Sequence, residues 1–355
     1  MLRILEMTHA DLAAFVGARY GKGPYWAGML YREFHKHHHA EPWKAGPLSR
    51  SPELSRDLAR DWRFVPGTVV REAQDAGVVK FVTELADGHR IESVVIPMAT
   101  HGTVCVSSQV GCRLGCRFCE TATMGLVRNL TVEEITGQVY AARRRFGETV
   151  RNVVFMGMGE PMENFDAVAG SIRVLADQRG FDIARRRITL STAGQIHGID
   201  SLAERADLAG VNLAVSLNAA EDGLRNRLMP VNRSMPLAAL QRALTAFSRK
   251  RGAAVMINYV VIPGMNDSRR CAHRLAEWIT PFRARVNLIP FNAGSSGEFR
   301  EPLEEEIAAF RDRLIKRGVN AQLRHSRGRP LMAACGQLGA RDPRAQGVAI
   351  QAGKS

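Results

Sequence analysis

Three closely spaced cysteines carry the strongest chemical signal in this 355-residue sequence. Cys112, Cys116 and Cys119 have the spacing C-x3-C-x2-C and come directly after a predicted strand. Three thiolates can ligate three irons of a [4Fe-4S] cubane, which leaves the fourth iron free to bind the amine and carboxylate of a small molecule. Structural zinc is the alternative, but a closed zinc site needs four ligands, and Cys105 has no C-x2-C partner. The spacing therefore favours an iron–sulfur cluster with an open position.

A glycine-rich turn with an acidic residue follows a second predicted strand. Gly157 and Gly159 would let backbone carbonyls approach a ligand's ammonium group, and the carboxylate of Glu160 would add a negative charge. A tight structural turn is the alternative, and this motif alone does not decide between the two.

Two isolated reactive groups lie outside these motifs. Glu92 shares one face of a predicted strand with Val94 and Ile96, so period-two alternation places a carboxylate on an apolar side. Burial there would raise its pKa and suit it to proton transfer, whereas pairing with an arginine is an equal alternative. Cys335 stands alone in a C-terminal loop, where a cysteine more often fills space than reacts.

Alternating strand and helix patterns must position these groups. The predicted strands are residues 103–107, 152–156, 187–190, 211–217, 256–262 and 285–289, and the predicted helices are residues 132–145, 165–178, 237–251, 267–279 and 303–317. Such alternation indicates an α/β fold with a parallel sheet that curls into a full or partial barrel. In such barrels, functional residues gather on the loops after the carboxyl ends of the strands.

The chain divides into four predicted segments. They are an N-terminal helical domain (1–65), an antiparallel β extension with runs at 68–73, 78–85 and 89–96 (66–97), a partial (β/α)6 barrel (98–341) and a flexible tail (342–355). The Thr8/Asp11 pair resembles a helix capping box. The histidine-rich stretch 35–39 fits an exposed polar face better than a metal site.

The composition predicts a cytoplasmic protein that binds polyanions. The formal charge is +14, 45% of residues are hydrophobic, and neither a long apolar run nor a signal peptide is evident. Clustered cysteines fit reduced thiols in the cytosol, and the charge predicts complexes with nucleic acid that weaken as salt rises. Candidate phosphate-binding residues around the barrel mouth are 143–145, 185–187 and 325–329.

Several spaced segments resemble one family. These are VCVSSQVGC (104–112), VFMGMGEP (154–161), TLST (189–192), NLIPFN (287–292) and ACGQL (334–338), and they look like the RlmN/Cfr family of radical S-adenosylmethionine (SAM) RNA adenine methyltransferases. The resemblance extends from about residue 92 to residue 338, with the motifs in the family's order. It implies a radical-SAM partial barrel with a [4Fe-4S] cluster on the three cysteines, and it implies that the N-terminal helical domain (1–65) helps to bind RNA.

The resemblance also implies the residues that bind SAM. Gly159 and Glu160 would contact the methionyl amine, and Asn292 would close on the adenosine. The residues implied for the ribose and carboxylate are Ser191, Ser216, Leu217 and Asn218.

The implied reaction uses two SAM molecules per turnover. By resemblance, Cys335 takes a methyl group from the first, and a radical generated from the second removes a hydrogen atom from that methyl. The carbon radical then adds to an adenine carbon that is not nucleophilic. Cys105 would form a disulfide with Cys335 to release the product, with Glu92 as the proton acceptor.

The implied substrate is large-subunit (23S) ribosomal RNA, with transfer RNA as a second candidate and carbon 2 of adenosine as the favoured position. The adenine must leave its stack to enter the barrel. Asn218 stands where the family pattern has histidine, so another RNA or methylation at carbon 8 stays open. A radical enzyme that modifies a peptide or a small molecule is a second enzymatic alternative. An RNA-binding module with structural zinc is the non-enzymatic alternative. We also expect an external electron donor such as flavodoxin, no membrane and a monomer.

Overall fold

A computed structural model describes residues 1–294, 297–324 and 327–339 of the chain. The strands within these residues are β1 (Thr68–Asp75), β2 (Val78–Glu84), β3 (Arg90–Pro97), β4 (Gly102–Cys105), β5 (Gln109–Cys112), β6 (Gly125–Asn129), β7 (Val150–Phe155), β8 (Ile188–Thr192), β9 (Asn212–Ser216), β10 (Val255–Val261), β11 (Ala284–Pro290) and β12 (Ala321–Leu323). Ten of them form one sheet in the order β1-β2-β3-β4-β7-β8-β9-β10-β11-β12, and β5 pairs with β6.

The sheet has an antiparallel half and a parallel half. Strands β1 to β4 pair antiparallel, whereas β4 and β7 to β12 run parallel. Parallel neighbours need crossover connections, and helices supply most of them here. The described strand order does not return on itself, so the barrel is partial. This confirms the predicted fold class: a partial α/β barrel with an antiparallel extension and N-terminal helices.

The helices follow the predicted pattern at their starts. They are α1 (His9–Tyr20), α2 (Pro24–His35), α3 (Pro52–Asp61), α4 (Glu120–Thr123), α5 (Val132–Phe146), α6 (Phe165–Leu175), α7 (Ile196–Glu204), α8 (Asp222–Leu228), α9 (Leu237–Arg251), α10 (Arg269–Ile279) and α11 (Glu304–Ile315). Capping boxes open α1 at Thr8 and α5 at Thr131, because each hydroxyl accepts a backbone N–H that the first turn leaves unpaired.

The N-terminal part of the chain packs against α5 of the barrel. The Thr136 hydroxyl donates to the carbonyl of Leu5 over 2.8 Å, and the Val65 N–H donates to the Glu133 carboxylate over 3.0 Å. One hydrophobic cluster spans both parts. The proposed boundaries at residues 65, 97 and 341 stay predictions, and residues 342–355 lie outside the described part of the chain.

Short elements account for most differences from the sequence-based prediction. Helix α7, the three-residue strand β12 and the β5/β6 hairpin are too short to give a clear period. The expectation of an exposed histidine face is wrong for His35, which is buried beside Tyr31 and Phe181. Burial lowers the pKa of His35 to about 3, so this ring is neutral and packs as a core aromatic. No helix in the described residues has the length and apolar character of a membrane span.

Candidate active site

The three motif cysteines surround a cavity of about 160 Å³ at the carboxyl ends of the parallel strands. Cys112 is the last residue of β5 rather than a loop residue, and Cys119 is the N-cap of α4. Cys116 lies between them and is half-buried. The short hairpin and the short helix thus aim three thiols at one cavity.

The electrostatics of these thiols fit a cationic cluster. Burial raises the pKa of Cys112 to about 12, and burial together with the neighbouring thiols raises the pKa of Cys116 well above its ordinary value. The buried guanidinium of Arg225, which the sequence did not single out, opposes that rise at Cys116. Buried thiolates therefore need metal charge to form.

The chemistry of the three donors also fits a cluster. Cys112, Cys116 and Cys119 line one cavity, and three thiolates can ligate three irons of a cubane while the fourth iron stays open. The residues present therefore fit a [4Fe-4S] cluster with one open iron.

The buried carboxyl group of Glu160 lines the same cavity. Its carboxylate accepts hydrogen bonds from the backbone N–H of Met162 at 3.1 Å and of Ala193 at 2.8 Å. Burial raises the pKa of Glu160 to about 7, and those hydrogen bonds oppose the rise. Such a carboxylate is suited to a ligand ammonium, because the cation would restore the charge that burial disfavours.

Gly159 allows the backbone beside Glu160 to reach the cavity wall. Its φ is +96°, and a Cβ there would lie 2.5 Å from Cβ of Gln109. The Gln109 side chain in turn accepts the N–H of Glu160 over 2.8 Å. Only glycine fits this position. The VCVSSQVGC and VFMGMGEP segments therefore build one wall together.

The other residues predicted to bind SAM divide into two groups. Ser191 and Ser216 line the cavity near the ends of β8 and β9. Leu217 and Asn218 are buried away from its described lining. The Asn218 carbonyl oxygen of the side chain accepts from the N–H of Val260 over 2.8 Å, so this residue fixes the end of β9 to β10. The cofactor roles of Leu217 and Asn218 stay predictions.

Asn292 connects the cavity region to the C-terminal loop. Its side-chain N–H donates to the backbone carbonyl of Cys335 over 3.2 Å, and its side-chain oxygen accepts from Arg329 over 3.1 Å. Asn292 is outside the described lining of the cavity. Its contact with adenosine stays a prediction, while its contact with the Cys335 loop is present in the structure.

Cys335 lies between two cavities. It lines the cluster cavity and also a larger cavity of about 590 Å³, which occupies the barrel interior toward the amino ends of the strands. Met156 and Ile289 share this position. A side chain here can meet one ligand from the cluster side and another from the opposite side.

Cys105 lines the larger cavity together with Cys335. Burial raises the pKa of Cys105 to about 12, the nearby Cys335 thiol adds to the rise, and the Arg324 guanidinium opposes it. Both thiols are free in this structure. The two cysteines therefore line the same cavity. Glu92 lies outside the described lining of both cavities and contacts Lys80 and Gly339.

Five arginines surround the larger cavity: Arg186, Arg187, Arg285, Arg324 and Arg327. The described lining contains no Asp or Glu, and none of these arginines forms a described ion pair. Neutral Asn, Gln and Thr side chains also line this cavity. An acid-free ring of guanidinium groups is suited to phosphate oxygens.

The arginine positions correct part of the sequence-based prediction. Two of the three predicted clusters contribute to the lining of the larger cavity, through Arg186 and Arg187 at the amino end of β8 and through Arg327. Arg143 is buried and donates to the carbonyls of Val150 and Phe181, so it supports the fold. Residues 325 and 326 lie outside the described part of the chain.

Sequence reasoning missed several residues near the site. Asn258 lines the cluster cavity, and Arg285 and Arg324 line the larger one. Asn258 lies in the middle of β10, Arg285 lies near the start of β11 and Arg324 directly follows β12, so these positions could have been identified only once the strand boundaries were known. A charged residue at a strand end carries little sequence signal on its own.

Comparisons with known proteins agree with this geometry. Residues 106–275 match the Radical SAM superfamily model. A probable dual-specificity RNA methyltransferase RlmN 1 of Protochlamydia amoebophila is 39% identical, with 95% of this chain and 94% of the relative covered. The dual-specificity RNA methyltransferase RlmN of Geotalea uraniireducens is 45% identical, with 94% of this chain and 96% of the relative covered. The crystal structure of a radical SAM methyltransferase from Sphaerobacter thermophilus superposes with a TM-score of 0.89 at 38% identity, covering 96% of this chain and 99% of that one.

Proposed function

Because this chain belongs to the RlmN family of dual-specificity RNA methyltransferases, we propose that it methylates carbon 2 of an adenosine in 23S ribosomal RNA and in transfer RNA. The observation that carries the proposal is the position of Cys335 between a cavity suited to a cluster with SAM and an arginine-lined cavity suited to RNA. A methyl carrier must meet a donor on one side and an acceptor on the other.

The cluster side of the site serves to bind and orient the cofactors. Cys112, Cys116 and Cys119 would hold the [4Fe-4S] cluster, and Glu160 with Gly159 would hold the ammonium group of SAM. When bound, these cofactors supply the radical chemistry that polar methyl transfer cannot perform at a non-nucleophilic carbon. Reduction of the cluster requires an external electron donor, for which a flavodoxin is suited.

The two remaining cysteines act on the methyl group and the base. The Cys335 thiolate accepts a methyl group and becomes S-methylcysteine, which is the carrier that reaches the adenine. Cys105 then attacks the sulfur of Cys335, so that a disulfide bond replaces the bond between this sulfur and the methylene carbon. The released carbon takes up a proton from solvent, which completes the methyl group of the base. Their common cavity and the effect of the Cys335 thiol on the pKa of Cys105 support this pairing. For Glu92, the role of proton acceptor stays a proposal by resemblance.

The adenine enters through the larger cavity. Its volume of about 590 Å³ is ample for a base, and its walls carry guanidinium groups for the flanking phosphates. The charge of +14 adds long-range attraction for RNA. We place the reaction in the cytoplasm, where these RNAs occur, and propose that a monomer suffices because one chain supplies both cavities.

Nucleoside mass spectrometry tests this function. RNA from a strain that lacks the gene is compared with RNA after complementation by wild type, Cys335→Ala and, as a matched control, Cys271→Ala, which removes a half-buried thiol on α10. We expect 2-methyladenosine to disappear in the deletion strain and to return with wild type and Cys271→Ala alone.

Other results would change the assignment. Loss and return of 8-methyladenosine would move the reaction to carbon 8. No change in any adenosine would reject RNA as the substrate and favour a peptide or a small molecule. Full activity of Cys335→Ala would reject the carrier role.

A further inference from the structure

A buried ion pair joins two neighbouring strands beside the site. The Lys80 ammonium on β2 lies 2.9 Å from Oε1 of Glu92 on β3, and only 4% and 9% of the two side chains are exposed. Lys80 is opposite Val94 across the strands, and Glu92 is opposite Val82. Side chains of opposed residues share a face, so the pair lies on the face that also carries Cys105, which is opposite Val94 on β4.

The buried ammonium and carboxylate also need hydrogen-bond partners other than each other. Removal of two charges from water costs more than their attraction returns, unless further hydrogen bonds use the remaining donors and acceptors. Here those hydrogen bonds all go to one distant segment. Nζ of Lys80 donates to the carbonyls of Met332 at 3.0 Å and Leu331 at 3.4 Å, and Oε2 of Glu92 accepts the N–H of Gly339 at 2.8 Å.

These contacts bracket Cys335 in sequence. Residues 331–339 form the segment that we call the Cys335 loop, and Lys80 holds its start while Glu92 holds its end. The loop needs such restraint at Met332, whose φ of +50° lies in the left-handed region. Left-handed backbone at a non-glycine residue persists only where surrounding contacts enforce it.

We propose that Lys80 and Glu92 are positioning residues that fix both ends of the Cys335 loop and thereby keep the Cys335 sulfur between the two cavities. This inference rests on the proposed function for the meaning of that position, since the sulfur must face SAM and RNA in turn. It assigns a role to Lys80, and it gives Glu92 a task in addition to the proton acceptance implied by resemblance.

The loop contacts themselves are tested first, without turnover. Amide hydrogen exchange of the purified holoenzyme is followed by mass spectrometry for wild type, Lys80→Met, Glu92→Gln and the exposed-pair control Lys250→Met, which disrupts the contact with Glu204. Because a charged hydrogen bond is lost, we expect exchange in peptide 331–339 to rise about tenfold in Lys80→Met, and to stay at the wild-type rate in Lys250→Met.

The second measurement is the coupling between SAM cleavage and RNA methylation. We expect Lys80→Met to retain iron and sulfide, and to form more 5′-deoxyadenosine per methylated adenosine than wild type, since a misplaced sulfur receives the hydrogen-abstracting radical less often. A general loss of stability would lower both products in parallel. The double variant Lys80→Met/Glu92→Gln, which leaves no lone buried charge, covers the case in which Lys80→Met does not fold.

Two outcomes overturn the inference. Unchanged exchange in residues 331–339 of Lys80→Met or of the double variant means that the pair does not hold the loop. The second outcome is that Glu92→Gln stops turnover while Lys80→Met keeps the wild-type ratio of 5′-deoxyadenosine to methylated adenosine. In that case Glu92 serves only as a proton acceptor and does not position the loop. Failure of the proposed function looks different, because wild type then methylates no RNA while the exchange comparison still reports on the loop.

Discussion

The side-chain N–H of Asn292 donates a hydrogen bond to the backbone carbonyl of Cys335 over 3.2 Å. The contact joins the chain just beyond β11 to the middle of the Cys335 loop. It adds a third restraint to those from Lys80 and Glu92, and it lies close to the sulfur itself.

Replacement of Asn292 tests this contact. We expect Asn292→Ala to slow RNA methylation by about twofold to tenfold, because a net hydrogen bond is worth about 0.5–1.5 kcal/mol. SAM affinity is measured in parallel by calorimetry. An unchanged SAM dissociation constant with slower methylation indicates that Asn292 acts through Cys335; a loss of SAM binding in proportion indicates the adenosine contact instead.

Loss of any motif cysteine should remove the cluster. We expect Cys116→Ala to purify without brown colour and with little iron or sulfide, because two thiolates cannot hold the cubane. Absorption spectroscopy and iron analysis after anaerobic reconstitution measure this. Cys105→Ala and Cys271→Ala should keep the colour. A colourless wild type that contains zinc would restore the zinc interpretation.

Product release should accelerate with pH. The pKa of Cys105 is raised to about 12 by burial, so the thiol is neutral at pH 7 and its thiolate fraction grows about tenfold per pH unit below that pKa. We therefore expect the covalent RNA–Cys335 adduct to decay faster from pH 7 to 9, with a slope near 1 in the logarithm of the rate. Single-turnover gel analysis measures the decay.

Arg324 should influence the same step. Its positive charge opposes the rise in the Cys105 pKa, so Arg324→Gln should raise that pKa further and slow release at each pH. Cys105→Ala should leave the adduct stable throughout. A rate independent of pH in the wild-type protein would contradict attack by Cys105.

The arginine ring should dominate RNA affinity at the amino ends of the strands. We expect Arg285→Gln to weaken RNA binding and to lower the slope of log K against log salt by about 0.7–1, because one phosphate contact is lost. Fluorescence anisotropy across a salt series measures both quantities. Arg233→Gln is the control, since this exposed arginine follows α8, toward the carboxyl ends. A larger effect of Arg233→Gln would place RNA entry at the opposite end.

Gly159 should tolerate no side chain. We expect Gly159→Ala to lose SAM binding and to destabilise the protein by about 1–2 kcal/mol, since φ +96° is strained for alanine and the new Cβ would meet Gln109. Thermal unfolding and calorimetry measure the two effects. Gly252→Ala is the control, because Gly252 also has a left-handed φ, of +61°, but has open space around it. This variant should lose stability and keep normal SAM binding. Normal SAM binding by Gly159→Ala would reject the close approach.

Much of the fold could be predicted from the sequence because its signals are local. The capping box at Thr131 fixed the start of α5, and the turn residues between β1, β2 and β3 indicated the antiparallel extension. The β5/β6 hairpin and β12 were not predicted, because strands of three to five residues show too few alternations between apolar and polar residues. His35 was misjudged because burial depends on what packs over a helix, not on the helix itself.

The sequence by itself determined the chemistry to expect, and only the tertiary structure decided which groups meet. The C-x3-C-x2-C spacing and the glycine-rich turn before Glu160 are read within a few residues, since a cluster and an ammonium need ligands of fixed type and spacing. In contrast, Lys80 meets Met332 across 252 positions, and Glu92 meets Gly339 across 247. No local pattern encodes such contacts. They arise because the strand order brings β2 and β3 beside the C-terminal loop, where burial makes the pairing of charges necessary.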